Sequence, residues 1–241
     1  MNSEDCRDLI YVSRPHADDL FCYAYGIEFA EFLSGVKPPL ANLLLLNHRF
    51  DAAKWNPHTG LEYVTAAEIG RLIEDDVYGY GDFCWVDVER KEDLNRLTRP
   101  QIAELLLFGH LAETLDDLPL ARFAYYAHDD GWFNKTYFAV AEDYAGMLSG
   151  VVRSKLSLFA GQELNDLPET VQTGIMAYAT DGLFIDFLRM EIEDSRIRVP
   201  IATVGHHRDM DLVYGLRDRT PDVRAWLDYA DGKWKLAKGH E

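Results

Sequence analysis

Histidine and aspartate recur together at four places along the 241-residue chain: His16 with Asp18 and Asp19, His48 with Asp51, His128 with Asp129 and Asp130, and His206-His207 with Asp209. Imidazole nitrogen and carboxylate oxygen together suit zinc, iron or manganese, and a bound divalent metal lowers the pKa of its water into the neutral range. A carboxylate outside the metal's ligand set could then take the proton from that water as general base. Aspartate is equally a residue of helix caps and turns, where its side chain satisfies local backbone donors. Convergence of the four pairs, more than any one of them, would make a chemical centre.

Each pair follows an apolar run that reads as a strand. Leu9 to Ser13 leads into Arg14-Pro15-His16, Ala41 to Leu46 into Asn47-His48, Arg122 to Ala127 into His128, and Ile197 to Val204 into Gly205-His206. Asp82 to Glu89 is aromatic and β-branched enough for a further strand. Between them the spacing predicts helices. Leu20 to Leu33 is apolar around most of its circumference, Thr65-Ala-Ala-Glu68 and Thr98-Arg-Pro-Gln101 are capping boxes that open helices to about Asp75 and Leu115, and Lys135 to Phe159 repeats at helical spacing. Pro168-Glu169 begins another, expected to continue through Phe187 unless Gly182 breaks it. Pro200 points to an edge position or a bulge in its strand. Asp231-Gly232 between Ala225–Ala230 and Lys233–Leu236 is a two-residue hairpin turn, in whose register Tyr229 faces Trp234 and Asp228 faces Lys235.

Strands alternating with helices predict one α/β domain over residues 1–241, a mostly parallel sheet flanked by helices and closed by a C-terminal antiparallel hairpin. In a parallel sheet the carboxyl ends of the strands share one edge and ligands bind there, so the His-Asp pairs are expected to meet in one cleft. Asn134 and Lys135 could orient an anionic substrate or start a helix, and Tyr78, Tyr80, Trp132 and Phe133 could line a pocket or fill the core.

The formal charge of −17, from 41 acidic and 24 basic residues, repels a phosphate backbone and an anionic membrane surface, which argues against nucleic acid and membrane as partners. Cys6, Cys22 and Cys84 are three in number, far apart and without a CxxC pair, so a reducing compartment is expected rather than a disulfide framework. The acidic start Met1-Asn2-Ser3-Glu4-Asp5 lacks an apolar core for a signal peptide, and the aliphatic run Leu43–Leu46 is too short to span a bilayer. Cytoplasmic location is the expectation.

Pro15-His16-Ala17-Asp18-Asp19 resembles the opening motif of the LmbE-like (PIG-L) metal-dependent N-deacetylases, Pro-His-Pro-Asp-Asp-Glu between a first strand and a first helix. The resemblance implies that His16 and Asp19 bind zinc and Asp18 activates the metal's water, with a later histidine, His128, His206 or His207, as third ligand. Ala17 stands for the family's second proline and Leu20 for its glutamate, and the likeness covers about the first forty residues. The function expected on this basis is metal-dependent hydrolysis of an amide or ester in a small polar substrate. The alternative, carried by the charge, is an acidic non-catalytic binding protein of inhibitor or immunity type that engages a basic partner.

Overall fold

Several strands of this chain, Leu9–Val12, Phe21–Tyr25, Phe83–Val86 and Phe123–Ala127 among them, are apolar at successive positions, because both faces of the sheet are covered there. The computed structural model describes residues 8–79, 81–111, 122–193, 196–207, 213, 215–216, 218 and 221–239. In chain order the elements are β1 (Leu9–Ser13), β2 (Phe21–Tyr25), α1 (Phe29–Gly35), β3 (Asn42–Leu45), β4 (Lys54–Asn56), β5 (Leu61–Thr65), α2 (Ala66–Ile73), β6 (Phe83–Val88) and α3 (Arg99–Leu111). There follow β7 (Phe123–Ala127), β8 (Phe133–Phe138), α4 (Ala141–Ala160), α5 (Glu169–Tyr178), β9 (Leu183–Asp186), β10 (Glu191–Glu193), β11 (Arg196–Thr203), β12 (Val223–Ala230) and β13 (Lys233–Lys238).

The strands join in one 13-stranded sheet, ordered β13-β12-β11-β9-β1-β2-β8-β7-β6-β3-β5-β4, with β10 alongside β11. Every described pairing is antiparallel, which corrects the expectation of a mostly parallel α/β sheet. The physical reason lies in the burial. On one face Val12, Cys22, Leu43, Trp85, Tyr125 and Ile185 pack with Phe32 of α1, Leu148 and Val151 of α4 and Ile175 of α5. On the other, Leu44, Cys84, Val86 and Tyr137 pack with Leu105 and Phe108 of α3. A strand covered on both sides loses the in-out alternation of an exposed antiparallel sheet and shows the continuous apolar run associated with parallel ones.

The same double burial hid three strands inside expected helices. Leu20–Leu33 contains β2 before α1, Lys135–Phe159 contains β8 before α4, and the expected extension of α5 to Phe187 is instead a 3₁₀ turn at Ala179–Asp181 followed by β9. Each hidden strand reverses the chain, and the apparent β-α-β alternation disappears with it. Gly182, at φ 76°, makes the last break: a Cβ there would collide with the carbonyl of Gly205.

β4, β5 and β10 lie where no strand was expected, and Thr65 caps α2 without the side-chain bond of a capping box, while other expected elements stand. β1, β3, β6, β7 and β11 lie where the apolar runs placed them, and the hairpin has Tyr229 opposite Trp234 and Asp228 opposite Lys235, with Asp231 and Gly232 both at positive φ. Thr98 and Gln101 exchange the reciprocal bonds of a capping box, and the expected end of that helix near Leu115 lies outside the described residues. Pro200 is interior, not on an edge strand. It pairs with Trp226 of β12 on one side, and on the other it sits in the gap between the stretches paired with β10 (Arg196–Arg198) and β9 (Ile201–Thr203), where no ladder donor is needed. No helix among the described residues is long and apolar enough to cross a membrane.

Candidate functional site

Strand direction alternates across the sheet, so β1, β5, β6, β8, β11 and β13 run one way and β2, β3, β4, β7, β9 and β12 the other. The carboxyl ends of β1 and β11 therefore share one rim, and those of β3 and β7 share the opposite rim. His16 and His206 are on the first, His48 and His128 on the second, and the single cleft expected of a parallel sheet is not formed. Asp209 lies outside the described residues, as do Cys6 and Tyr80.

On the first rim, residues 14–20 form the β1–β2 hairpin loop, not a strand-to-helix turn. Asp19 is occupied locally: its Oδ2 accepts the His16 backbone N–H at 2.9 Å, while its own N–H donates to the His16 carbonyl at 3.0 Å and Arg14 Nε donates to the Asp19 carbonyl at 2.8 Å. His16 and Asp18 are exposed on the loop. His206 Nδ1 lies 2.7 Å from the buried Ser13 Oγ. Tyr11 donates its hydroxyl hydrogen to the Gly205 carbonyl at 2.8 Å and accepts the His207 N–H at 2.6 Å, and His207 Nε2 donates to the Val204 carbonyl at 2.7 Å. Burial raises the Tyr11 phenol above its ordinary value despite the His207 N–H and the Ser13 hydroxyl. These bonds fasten the segment after β11 onto the end of β1. Among the described residues, His16, Asp19 and His206 form no group of metal-ligand spacing, so the zinc set implied by the deacetylase resemblance does not fit here.

The opposite rim carries carboxylates of its own. His48 is buried, with Nε2 3.1 Å from Asp75 Oδ2 and its ring edge-on to Phe83. Asp51, Glu74 and Asp75 line a groove of about 380 Å3 together with Arg49 and Arg71, and Arg71 is paired with Glu68 at 2.8 Å. Asn47 ties the neighbouring strand end in place, donating to the Asp82 carbonyl at 2.6 Å and accepting the Cys84 N–H at 2.7 Å. Asp82 accepts the Tyr126 hydroxyl, and burial first, then Asp82 and Asp129, raise that phenol.

The β7–β8 turn completes this rim. His128 Nδ1 lies 2.5 Å from Asp129 Oδ1, and Asp130 Oδ1 accepts the Trp132 N–H at 3.0 Å. Gly131 turns at φ 72°, and a Cβ there would strike the Tyr78 ring. The Tyr78 phenol is pushed up to about 12, chiefly by burial, with Glu28 and Asp130 adding to it. His128, Asp129 and Asp130 are exposed, and each offers a ligand atom within 4.8 Å of the others, the one such group among the described residues. An imidazole and two carboxylates at that spacing can take a divalent cation, and their bonds to Asp129 and Trp132 are those of a self-contained turn.

Asp75, Asp82, Tyr126, Tyr11 and Ser13 were not singled out by sequence reasoning. Only Asp82 carried a signal, its place at the start of an evident strand. Asn134 and Lys135 are interior residues of β8, not helix-start residues, and Asn134 donates to the Ile27 carbonyl at 2.9 Å. No family model, curated protein or solved structure matches the chain.

Proposed function

We propose that the chain is a cytoplasmic, non-catalytic binding or regulatory protein whose carboxylate-rich rim engages a basic surface of another protein. The supporting observation is the grouping of Asp51, Glu74, Asp75, Asp82, Asp129 and Asp130 along one rim, with Arg49 and the already paired Arg71 as the cations of its groove. Such a field accelerates encounter with a cationic partner and repels anionic ones. Buried reduced thiols at Cys22 and Cys84, both raised by burial, fit a reducing compartment.

The test uses a lysine-rich peptide as probe and compares two triple variants. Neutralising the rim (Asp75→Asn, Asp129→Asn, Asp130→Asn) is expected to weaken binding at low salt at least tenfold more than neutralising three exposed acids elsewhere (Glu163→Gln, Glu191→Gln, Asp222→Asn), since each lost short-range pair weighs on the rim alone. Equal losses in the two variants would mean that net charge, not the rim, does the binding.

A second reading follows from the three ligand atoms gathered at His128, Asp129 and Asp130: a divalent metal there, zinc by ligand type, serving hydrolysis of a small polar substrate. Elemental analysis of the purified protein and calorimetric titration with zinc decide it. A stoichiometric metal lost in His128→Ala supports it, and a metal-free protein that refuses added zinc removes it.

A further inference from the structure

At the first rim, where β1 and β8 end and α4 begins, α4, α5 and the β1–β2 loop leave an open groove of about 370 Å3. Ala141 and Ala145, one turn apart on α4, Met176 and Ala177 of α5 and Ala17 of the loop line it, so its walls are methyl groups and a thioether. Two charged residues complete the lining, Arg14 and the exposed Glu142 of the first turn of α4. Arg14 Nε donates to the Asp19 carbonyl, and its guanidinium lies 5.5 Å from the centre of the Phe138 ring. Among the described residues neither Arg14 nor Glu142 joins an ion pair.

Beside the groove stand two aliphatic side chains in water, Leu20 at 52% exposure and Val140 at 48%. Both belong to the helical face of the sheet, being two residues along the chain from Cys22 and Phe138, whose side chains enter the core on that face. The Leu20 carbonyl accepts the Phe138 N–H at 2.9 Å, which sets Val140 diagonally across from Leu20, and Val140 directly precedes Ala141 of the groove. One patch thus carries an apolar projection next to an apolar depression, with a cation and an anion among the depression's own lining.

Side by side, these are the halves of a self-complementary contact. A two-fold axis through the patch brings the projection of each copy to the depression of the other and Arg14 of each to Glu142 of the other. The charge of −17 sets two copies against each other, but at 0.15 M salt that repulsion is screened beyond about 8 Å, which leaves the contact itself to decide. We propose that two copies of the chain associate through this face about a two-fold axis, Leu20 and Val140 of each entering the alanine-lined groove of the other. The contact uses the first rim, so Asp75 and Asp129 on the opposite rim stay open in both copies, and one dimer presents two such rims to a partner.

Sedimentation velocity of the full chain, from about 1 to about 500 μM at physiological salt, tests this, and the parent is expected to pass from monomer to dimer within that range. Val140→Asp places a charge in the groove, and Ala177→Arg fills it. Each should weaken association at least tenfold in a protein of unchanged circular dichroism, since both sites are exposed in the single chain. Leu158→Asp, at a leucine 71% exposed near the far end of α4, should change nothing. Arg14→Glu and Glu142→Arg each bring like charges together twice across the axis and should each weaken the dimer about tenfold. An equimolar mixture of these two variants should restore it, because every facing pair in the mixed dimer is again of opposite sign. A parent monomeric throughout, a dimer indifferent to Val140→Asp and Ala177→Arg, an equal loss in Leu158→Asp, or a mixture no tighter than its components would each overturn the proposal.

Discussion

Two buried carboxylates in the sheet illustrate how opposite environments set opposite pH behaviour. Asp228 is held below the usual carboxylate range by its hydrogen bonds with Arg196, so its contribution is present above its ordinary value and fades in acid. Asp87 is the reverse. Its Oδ1 accepts the backbone N–H of Arg122 at 2.8 Å and of Phe123 at 2.5 Å, which starts β7 against β6, yet burial outweighs those bonds and raises its pKa. A carboxyl raised in the folded state favours folding when protonated, and that contribution is lost as pH rises through the raised value. Asp87→Asn keeps the accepting oxygen and removes the buried charge. It should therefore be as stable as the parent or more so, by about 1 kcal/mol, at pH 8, with the advantage vanishing toward pH 4. Denaturant midpoints for both proteins across that range test this, and a variant several kcal/mol weaker at every pH would show that the charge itself holds the strands.

At the level of elements, α4 carries two glycines one turn apart with contrary consequences. Gly146→Ala meets nothing closer than 3.8 Å and should stabilise the helix by about 0.5–1 kcal/mol. Gly150→Ala drives a methyl to 2.7 Å from Gly35 and should cost roughly 1–3 kcal/mol by overpacking where α1 crosses α4. Chemical denaturation of the two single variants separates them, and the same sign for both would mean that the helices do not meet as described. The contrast also marks where sequence patterns stop. Local chemistry was readable: Asp231-Gly232 with Tyr229 against Trp234, the Thr98–Gln101 box, and the aliphatic run of β3 all depend on near neighbours. β2, β8 and β9 were not, because neither Phe21-Cys-Tyr-Ala-Tyr nor Phe133-Asn-Lys-Thr-Tyr-Phe alternates apolar in and polar out, and each is buried only by elements from distant sequence. For the site, the four His-Asp pairs did mark strand ends, but which rim each occupies depends on strand direction, and the unforeseen strands β2, β8 and β9 change it.

At the scale of the molecule, an all-antiparallel order spreads strand ends over two rims, and the −17 charge is correspondingly uneven. Several carboxylates away from the second rim have cations: Asp93 is held by Arg90 and Arg96, Asp166 by Lys37 and Arg153, and Glu191 by Arg198. Asp51, Glu74 and Asp75 share their groove with Arg49 and with an Arg71 already engaged by Glu68, while Asp82 and Asp129 flank Tyr126. Self-repulsion should thus be concentrated at the rim, where it opposes folding and where a cationic partner would relieve it. Raising ionic strength from 0.01 to 0.15 M shortens the screening length from about 30 to about 8 Å, enough to uncouple neighbouring strand ends. The melting temperature should accordingly rise by a few degrees over that range. In the Asp75→Asn, Asp129→Asn, Asp130→Asn variant the starting value should be higher and the increment smaller. Removing Asp93, Asp166 and Glu191 instead should lower the starting value, since each is attractively paired. Scanning calorimetry of the three proteins at both salt concentrations provides the comparison. A parent protein indifferent to salt, or a rim variant no more stable than the parent at 0.01 M, would mean that the rim's acids are compensated and hold no free energy for a partner to release.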